Sequence, residues 1–318
     1  MDPKYKVLIY YHIPEYVDRY ERWLKEARPD LQLLACKNRE EIEQAIVQAD
    51  ILFSGHTFPV ELISKANNLK WIQSMAAGVE NYARSGLVPS HVLFTKIKGV
   101  FGPIMSEYVV GYILAITQNM RKTFTNKGEK NWEPFVTDSI RRKIIGVMGL
   151  GSVGAYIAYQ VHLMGSTVIA LEEQEKRLPY ISQEYALTEI EEFLNEADFV
   201  VVTIPLTNAT EGILGEKEFA MMKKTAYLIN VSRGPLVQEE ALLNALKRGT
   251  IAGAVLDVFR EEPLPPSHPF WDLDNVIITP HISGPGIPEE VVKTFLRNLK
   301  RFEQGKRLEG VVDREREY

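Results

Sequence analysis

The sequence predicts an α/β protein built from two doubly wound parallel-sheet domains. Three observations carry this. Short β-branched, apolar runs alternate with longer stretches of helical period, and they do so in two separate series. The strands of the second series are apolar on both faces, as a parallel sheet covered by helices on each side requires. The length, 318 residues, exceeds what one hydrophobic core normally serves.

The first series of strands comprises Val7–Tyr11, Leu31–Ala35, Ile51–Phe53, Trp71–Ser74 and Val92–Thr95, with Glu15–Ala27 and Glu40–Gln48 as helices among them. Ile104–Met120 is long, apolar and helical in period, and lies where one series gives way to the next. It reads as an inter-domain helix. The second series comprises Ile144–Met148, Thr167–Leu171, Phe199–Ile204, Tyr227–Asn230, Ala252–Leu256 and Val276–Thr279. Pro288–Phe302 is an amphipathic helix expected to pack back on the N-terminal domain, and the charged tail Asp313–Tyr318 is expected to fray. The expected domains are therefore 1–100 plus 286–318 for the substrate and 101–285 for a dinucleotide, with the cleft between them.

Composition narrows the function. Apolar residues make up 45% and charged residues 25%, and the net charge is only -5, with no basic tract in the body of the chain. Nucleic acid and anionic membrane surfaces are therefore poor partners, and a small molecule is the better expectation. Cys36 is the sole cysteine, which excludes an intramolecular disulfide, a thiolate zinc cluster and a paired-thiol redox site. A reducing cytoplasm fits that usage. The N-terminus lacks the basic-then-apolar form of an export signal, and no apolar run approaches the roughly 20 residues that span a bilayer.

The strongest motif is Gly149-Leu150-Gly151-Ser152-Val153-Gly154, directly after the strand Ile144–Met148. In such a turn the first glycine permits a tight bend, the second lets the backbone approach a pyrophosphate, and the third lets the helix pack closely on the strand. A bare GxGxxG can be an ordinary glycine-rich turn. Here the helix Val153–Met164, the closing Gly165 and the strand Thr167–Leu171 complete the βαβ unit of a Rossmann NAD-binding domain. Glu172 ends that strand 18 residues beyond Gly154, where an acid hydrogen-bonds the adenosine ribose and repels the extra phosphate of NADP. NAD is therefore favoured over NADP. The bland alternative is a solvated charge in a loop with Glu173, Glu175, Lys176 and Arg177, whose two cations could reach a 2′-phosphate if the loop rearranged.

Arg233 follows the strand Tyr227–Asn230, at the carboxyl end where α/β sheets bind ligands. Its planar fork suits a bidentate grip on a carboxylate, although an arbitrary arginine often just pairs with a nearby acid. His281 also ends a strand. Among the other histidines, His162 lies within a helix, His12 and His91 suit the surface, His268 sits in a proline-rich loop, and His56 follows Ile51–Phe53 and could line the substrate side. Glu262 distinguishes His281: if the two meet, the carboxylate fixes the imidazole tautomer and favours its protonated form.

The blocks Asn230-Val231-Ser232-Arg233-Gly234-Pro235, Ala254-Val255-Leu256-Asp257-Val258-Phe259 leading to Glu262-Pro263-Leu264, and Thr279-Pro280-His281 resemble the signatures of the D-isomer-specific 2-hydroxyacid dehydrogenases. With the glycine-rich turn they cover most of the cofactor domain in the family's order. The N-terminal half resembles the family more loosely, through Met75-Ala76-Ala77-Gly78-Val79-Glu80-Asn81 and Ser106-Glu107. The resemblance implies that Arg233 binds substrate, that His281 is the acid-base residue and that Glu262 supports it. It implies that Asp257 holds the nicotinamide amide and that Ser152 and Val153 meet the pyrophosphate. Pro205, Val231, Ser232, Met105 and Gly284 are then further cofactor contacts, and Ala77, Gly78 and Val79 bind the substrate carboxylate through backbone N–H groups.

By that resemblance the chain is expected to transfer a hydride between NAD(H) and a small 2-oxo or D-2-hydroxy acid, without a metal. Glyoxylate, hydroxypyruvate and pyruvate-like acids are the first candidates, with His56, Met75, Phe101 and Trp271 near the pocket. Departures from the family pattern bear on cofactor and pocket rather than on the reaction: Glu172 stands for a more usual aspartate, Ser106 for alanine and Glu80 for aspartate. Some relatives append a regulatory domain after the last helix; with so few residues following that helix, no such feedback site is expected here. Family members pair through the region of Ile104–Met120, so a homodimer is expected, with Trp132 as a residue that could reach a neighbouring subunit. The alternatives are a cofactor-sensing, co-repressor-like binding protein on the same scaffold and a formate or phosphite dehydrogenase. Glu262 tells against the formate enzymes, whose site replaces this acid.

Overall fold

In the computed structural model, which describes residues 4–285 and 287–318, the chain divides into two units, Met1–Val100 with Gly286–Tyr318 and Phe101–Pro285. The first runs β1 (Lys6–Tyr10), α1 (Pro14–Ala27), β2 (Gln32–Cys36), α2 (Arg39–Ala45), β3 (Ile51–Ser54), β4 (Trp71–Ser74), α3 (Glu80–Ala83) and β5 (Leu93–Thr95). The second continues with α4 (Gly102–Thr117), α5 (Met120–Glu129), β6 (Ile144–Met148), α6 (Ser152–Leu163), β7 (Thr167–Leu171), β8 (Gln183–Tyr185) and α7 (Ile190–Glu196). It closes with β9 (Phe199–Val202), α8 (Glu216–Met221), β10 (Tyr227–Asn230), α9 (Glu239–Arg248), β11 (Gly253–Leu256) and β12 (Val276–Ile278), after which α10 (Pro288–Glu303) returns the chain to the first unit.

The first sheet has the order β2-β1-β3-β4-β5 and the second β12-β11-β10-β9-β6-β7-β8. Neighbouring strands pair in parallel throughout both. The strands are apolar on both faces because each sheet is covered twice. In the second sheet Met148, Val200, Val202 and Leu228 enter one core, while Ile145, Val147, Val201 and Ile229 enter the other. The order reverses between β6 and β9, which makes the carboxyl ends of these strands the natural ligand edge.

Helix α10 belongs to the first unit because its stripe of Val291, Val292, Phe295, Asn298 and Leu299 is buried there. Phe295 stacks on Trp71 at 5.2 Å and on Phe53 at 4.4 Å between ring centroids. Burying an aromatic side chain of this kind contributes about 1.5–3 kcal/mol. A buried polar network adds specificity of register. Asn298 donates to Gln73 Oε1 at 2.9 Å, and Thr95 donates to the same oxygen at 2.9 Å while accepting from the Trp71 indole at 2.8 Å.

Several elements differ from the sequence expectation. Ile104–Met120 is interrupted: Asn119 takes a left-handed φ of 49°, so α4 ends before it and α5 starts after it. Glu40–Gln48 becomes α2 plus a 3-10 turn, Ile46–Gln48. Strand β8 went unread because Gln183-Glu184-Tyr185 has no apolar run; its pairing with β7 makes it a strand. The tail Asp313–Tyr318 does not fray. Arg314 donates to the carbonyls of Val88, Pro89 and Val92 at 2.6–2.9 Å, and Arg84 pairs with Glu317 at 3.3 Å.

Candidate active site

The glycine-rich turn leaves β6 and enters α6. Gly149 has φ 92°, a conformation that side chains rarely adopt. At Gly154 a Cβ would lie 1.9 Å from the Gly149 carbonyl oxygen, so no other residue lets α6 pack this closely on β6. Thr203, just after β9, has its hydroxyl 2.8 Å from both the Met148 and the Gly149 carbonyl, sharing its one hydrogen between them, and so fixes the turn from the neighbouring strand. Around Gly151 the space is open: nothing lies within 4 Å of where a Cβ would stand. Ser152 is exposed and Val153 half-buried on the first turn of α6. An open backbone cradle at the start of a 12-residue helix suits a pyrophosphate, whose charge the N-terminal amides and the helix dipole favour.

Glu172 follows β7 and is anchored to that same turn: its Oε2 accepts the Leu150 N–H at 2.5 Å and its Oε1 accepts the Glu173 N–H at 3.2 Å. Lys176 Nζ stands 4.0 Å from the carboxylate, and Arg177 pairs with Glu175 at 2.9 Å. The residues present therefore fit the adenosine end of a dinucleotide.

Three further turns follow β9, β10 and β11. Pro205 is half-buried and Val231 buried. Ser232 Oγ donates to the Ile204 carbonyl at 2.5 Å, which ties the turn after β10 to the one after β9. Asn230 caps the Arg233 turn twice, accepting the Ser232 N–H at 3.1 Å and donating to the Arg233 carbonyl at 2.9 Å. Arg233 donates from Nη1 to the Ser232 carbonyl at 2.7 Å. Gly234 presses against the next turn, where a Cβ would meet the Phe259 carbonyl carbon at 2.0 Å. Gly284 faces Met105 of α4, whose Sδ would lie 3.2 Å from a Cβ there.

Glu262 and His281 meet. Nδ1 of His281 is 2.7 Å from Glu262 Oε2, and Glu262 Oε1 accepts the Phe259 N–H at 2.9 Å. Burial pushes the Glu262 carboxyl up, but hydrogen bonds from His281 and Phe259 and the charges of His281 and Arg233 outweigh it. The carboxyl is held below its ordinary value. His281 itself has φ 54°, a left-handed conformation that costs a non-glycine residue about 1–3 kcal/mol and is held only by its surroundings.

Those surroundings are Asp257, which is fully buried. Its backbone carbonyl accepts the His281 N–H at 2.9 Å. Its carboxylate accepts the Thr279 hydroxyl at 2.6 Å, the Ile282 N–H at 2.8 Å and the Ser283 N–H at 2.9 Å. This organising role of Asp257, and the parts of Asn230, Thr203 and Thr279, went unread in the sequence. A polar residue closing an apolar strand was the signal available for each.

Of the remaining residues expected near the substrate, Phe101 is buried and Trp271 exposed in the second unit, and the others lie in the first. Ala77 and Gly78 are half-buried and Val79 buried in the turn between β4 and α3, where Ala76 N–H binds Ser74 Oγ at 3.1 Å. His56 is exposed after β3, with its ring 5.7 Å from that of His12 and its carbonyl accepting from Asn81.

A glycine-rich βαβ turn, an acid at the next strand end and a histidine–carboxylate pair on the same sheet edge define a dinucleotide-dependent oxidoreductase domain. The family model of the D-isomer specific 2-hydroxyacid dehydrogenase, NAD binding domain, matches residues 110–283. Glyoxylate reductase of Thermofilum pendens is 32% identical over 289 residues, 87% of this chain and 85% of that protein. A D-isomer specific 2-hydroxyacid dehydrogenase family protein from Aeromonas salmonicida superposes with a TM-score of 0.90 at 33% identity, covering 98% of this chain and 99% of the other. The NADPH-dependent glyoxylate/hydroxypyruvate reductase of Sinorhizobium meliloti, solved with NADP and sulfate, gives 0.91 at 28% identity and covers 99% and 100%. The chain belongs to the D-isomer specific 2-hydroxyacid dehydrogenase family and is an oxidoreductase of that class.

Proposed function

We propose that the protein reduces a small 2-oxo acid, glyoxylate or hydroxypyruvate first among them, to the 2-hydroxy acid, with His281 as the proton donor. The observation that carries this reading is the 2.7 Å contact between His281 Nδ1 and Glu262 Oε2. With Nδ1 bonded to the carboxylate, proton exchange with substrate is assigned to Nε2. Glu262 keeps the ring oriented and its carboxylate ionised. Arg233 holds the substrate carboxylate and steadies the charge that develops on the carbonyl oxygen. A bound dihydronicotinamide supplies the hydride.

Ser152, Val153, Pro205, Val231, Ser232, Met105 and Gly284 are proposed to line the dinucleotide, and Asp257 to meet its carboxamide. Ala77, Gly78 and Val79 are proposed to bind the substrate carboxylate, with His56 beside them. For the cofactor we favour NADH. Glu172 is pinned at the glycine-rich turn by the Leu150 amide, so its charge opposes a 2′-phosphate. The Sinorhizobium meliloti relative was solved with NADP, which makes the preference a matter for titration. We also propose a homodimer in the cytoplasm. Met120, Phe124, Trp132 and Val136 are all exposed on and after α5, more apolar surface than an isolated subunit normally leaves in water.

Steady-state turnover on a panel of 2-oxo acids, with formate and phosphite included, tests the reading. Reduction of glyoxylate or hydroxypyruvate that disappears in His281→Ala is the expected result. Turnover of formate or phosphite alone, or binding of NADH without turnover of any acid, overturns it.

A further inference from the structure

We propose that a hydrogen-bond relay from α4, Tyr108 to Thr279 to Asp257, is the device that holds His281 in its left-handed conformation, with Tyr108 and Thr279 as positioning residues. The inference rests on the reading of His281 as the proton donor.

The direction of the relay follows from counting hydrogens. Tyr108 Oη and Thr279 Oγ1 are 2.6 Å apart, and Thr279 Oγ1 is 2.6 Å from Asp257 Oδ1. A threonine hydroxyl has one hydrogen, and a carboxylate can only accept, so the Thr279 hydrogen goes to Asp257. Tyr108 must then donate to Thr279. Burial, opposed by the Thr279 bond and reinforced by the Asp257 charge, pushes the Tyr108 phenol well above its ordinary value, so it remains a donor. The Tyr112 ring packs on that of Tyr108 at 4.6 Å between centroids and limits its swing.

At the far end, Asp257 gathers the whole turn that carries His281. Oδ1 receives both the Thr279 hydroxyl and the Ile282 N–H, Oδ2 receives the Ser283 N–H, and the backbone carbonyl receives the His281 N–H. The Asp257 N–H in turn binds the Asn230 carbonyl at 3.1 Å, and Asn230 shapes the Arg233 turn. One buried carboxylate thus sets the residues flanking His281, and Thr279 fixes the orientation of that carboxylate. Without the Thr279 hydroxyl the carboxylate keeps only the Ile282 and Ser283 amides, and the left-handed turn loses its hydrogen-bonded tie to α4.

The test uses the full chain in three variants: Tyr108→Phe and Thr279→Val, which delete hydroxyls with little change of shape, and Thr279→Ser, which restores one. The first readout is the side-chain nitrogen resonances of ¹⁵N-histidine-labelled protein, with His281 assigned from its loss in His281→Ala. The second is kcat and KM for the oxo acid. We expect both deletions to move or broaden the His281 signals while the other five histidines stay in place. We also expect kcat to fall about five- to tenfold with little change in KM, the size of one lost hydrogen bond. Thr279→Ser should return both readouts towards wild type. If Thr279→Val fails to fold, Tyr108→Phe decides alone, since it leaves Asp257 fully bonded to its own turn. Unchanged His281 signals overturn the relay whatever the kinetics. Displaced signals with unchanged kcat uphold the relay and count instead against His281 as the proton donor.

Discussion

His281 Nδ1 lies 2.7 Å from Glu262 Oε2, and the other oxygen of that carboxylate is held by the Phe259 N–H at 2.9 Å. The pair is thus anchored to backbone at one end, and Nε2 is the nitrogen we assign to proton exchange with substrate at the other. Since the positive imidazolium helps hold the Glu262 carboxyl below its ordinary value, the two charged forms stabilise each other.

The first prediction follows from the sign of that coupling. On the proposed mechanism reduction consumes the proton that His281 delivers and oxidation needs the neutral imidazole, so the two rates respond to pH in opposite senses. Glu262→Gln removes the negative partner and leaves the shape. Both limbs should therefore move to lower pH in kcat/KM profiles. Profiles that stay in place, with His281→Ala inactive, would leave the histidine catalytic and remove Glu262 as its partner.

Arg233→Lys keeps a positive charge and loses the guanidinium fork. We expect kcat/KM for the oxo acid to fall at least about tenfold, with KM raised as well as kcat lowered, because a charge-assisted bond is absent in both ground and transition states. The Kd for NADH should change far less. Wild-type kinetics in this variant would take Arg233 out of the site.

Cofactor choice is predicted to turn on Glu172. NADH should bind at least about tenfold tighter than NADPH, about 1.4 kcal/mol, in a fluorescence titration at fixed salt. Glu172→Ser should close most of that gap by weakening NADH and relieving repulsion of the 2′-phosphate. Equal affinities in the wild type would mean that Lys176 or Arg177 compensates the extra phosphate.

Light scattering at micromolar concentration should give twice the 36.2 kDa mass of the chain. Phe124→Lys with Trp132→Lys, both exposed in the subunit, should shift the mass towards one chain. A monomer in the wild type would leave the exposed apolar surface of α5 to another partner.

The last prediction concerns stability. Asn298 is fully buried; it donates to Gln73 Oε1 and the Glu309 carbonyl and accepts the Glu309 N–H at 2.8 Å. Asn298→Leu removes one of the two donors to the buried Gln73 Oε1 and both hydrogen-bond partners of the Glu309 backbone. It should cost about 2–3 kcal/mol in urea unfolding. A change below half a kcal/mol would show that water reaches the network.

The sequence by itself determined the fold class, the parallel sheets and the dinucleotide turn. These rest on local rules: apolar runs of strand length make buried parallel strands, and Gly149 and Gly154 meet backbone constraints within six residues of each other. Strand ends such as Met148, Leu171 and Asn230 were legible for the same reason. What required the tertiary structure was every relationship across the sheet edge. Glu262 and His281 are 19 residues apart, and only the parallel pairing of β11 with β12 sets their turns side by side. Asp257 read as a cofactor contact by family likeness, yet its carboxylate organises the turn from Thr279 to Ser283. Tyr108 lies 171 residues before Thr279 and carried no signal beyond a tyrosine on an apolar helix. Hydrogen bonds between distant residues leave no period or spacing in a chain. They are decided by which strand ends and helices the packed sheet brings within 3 Å.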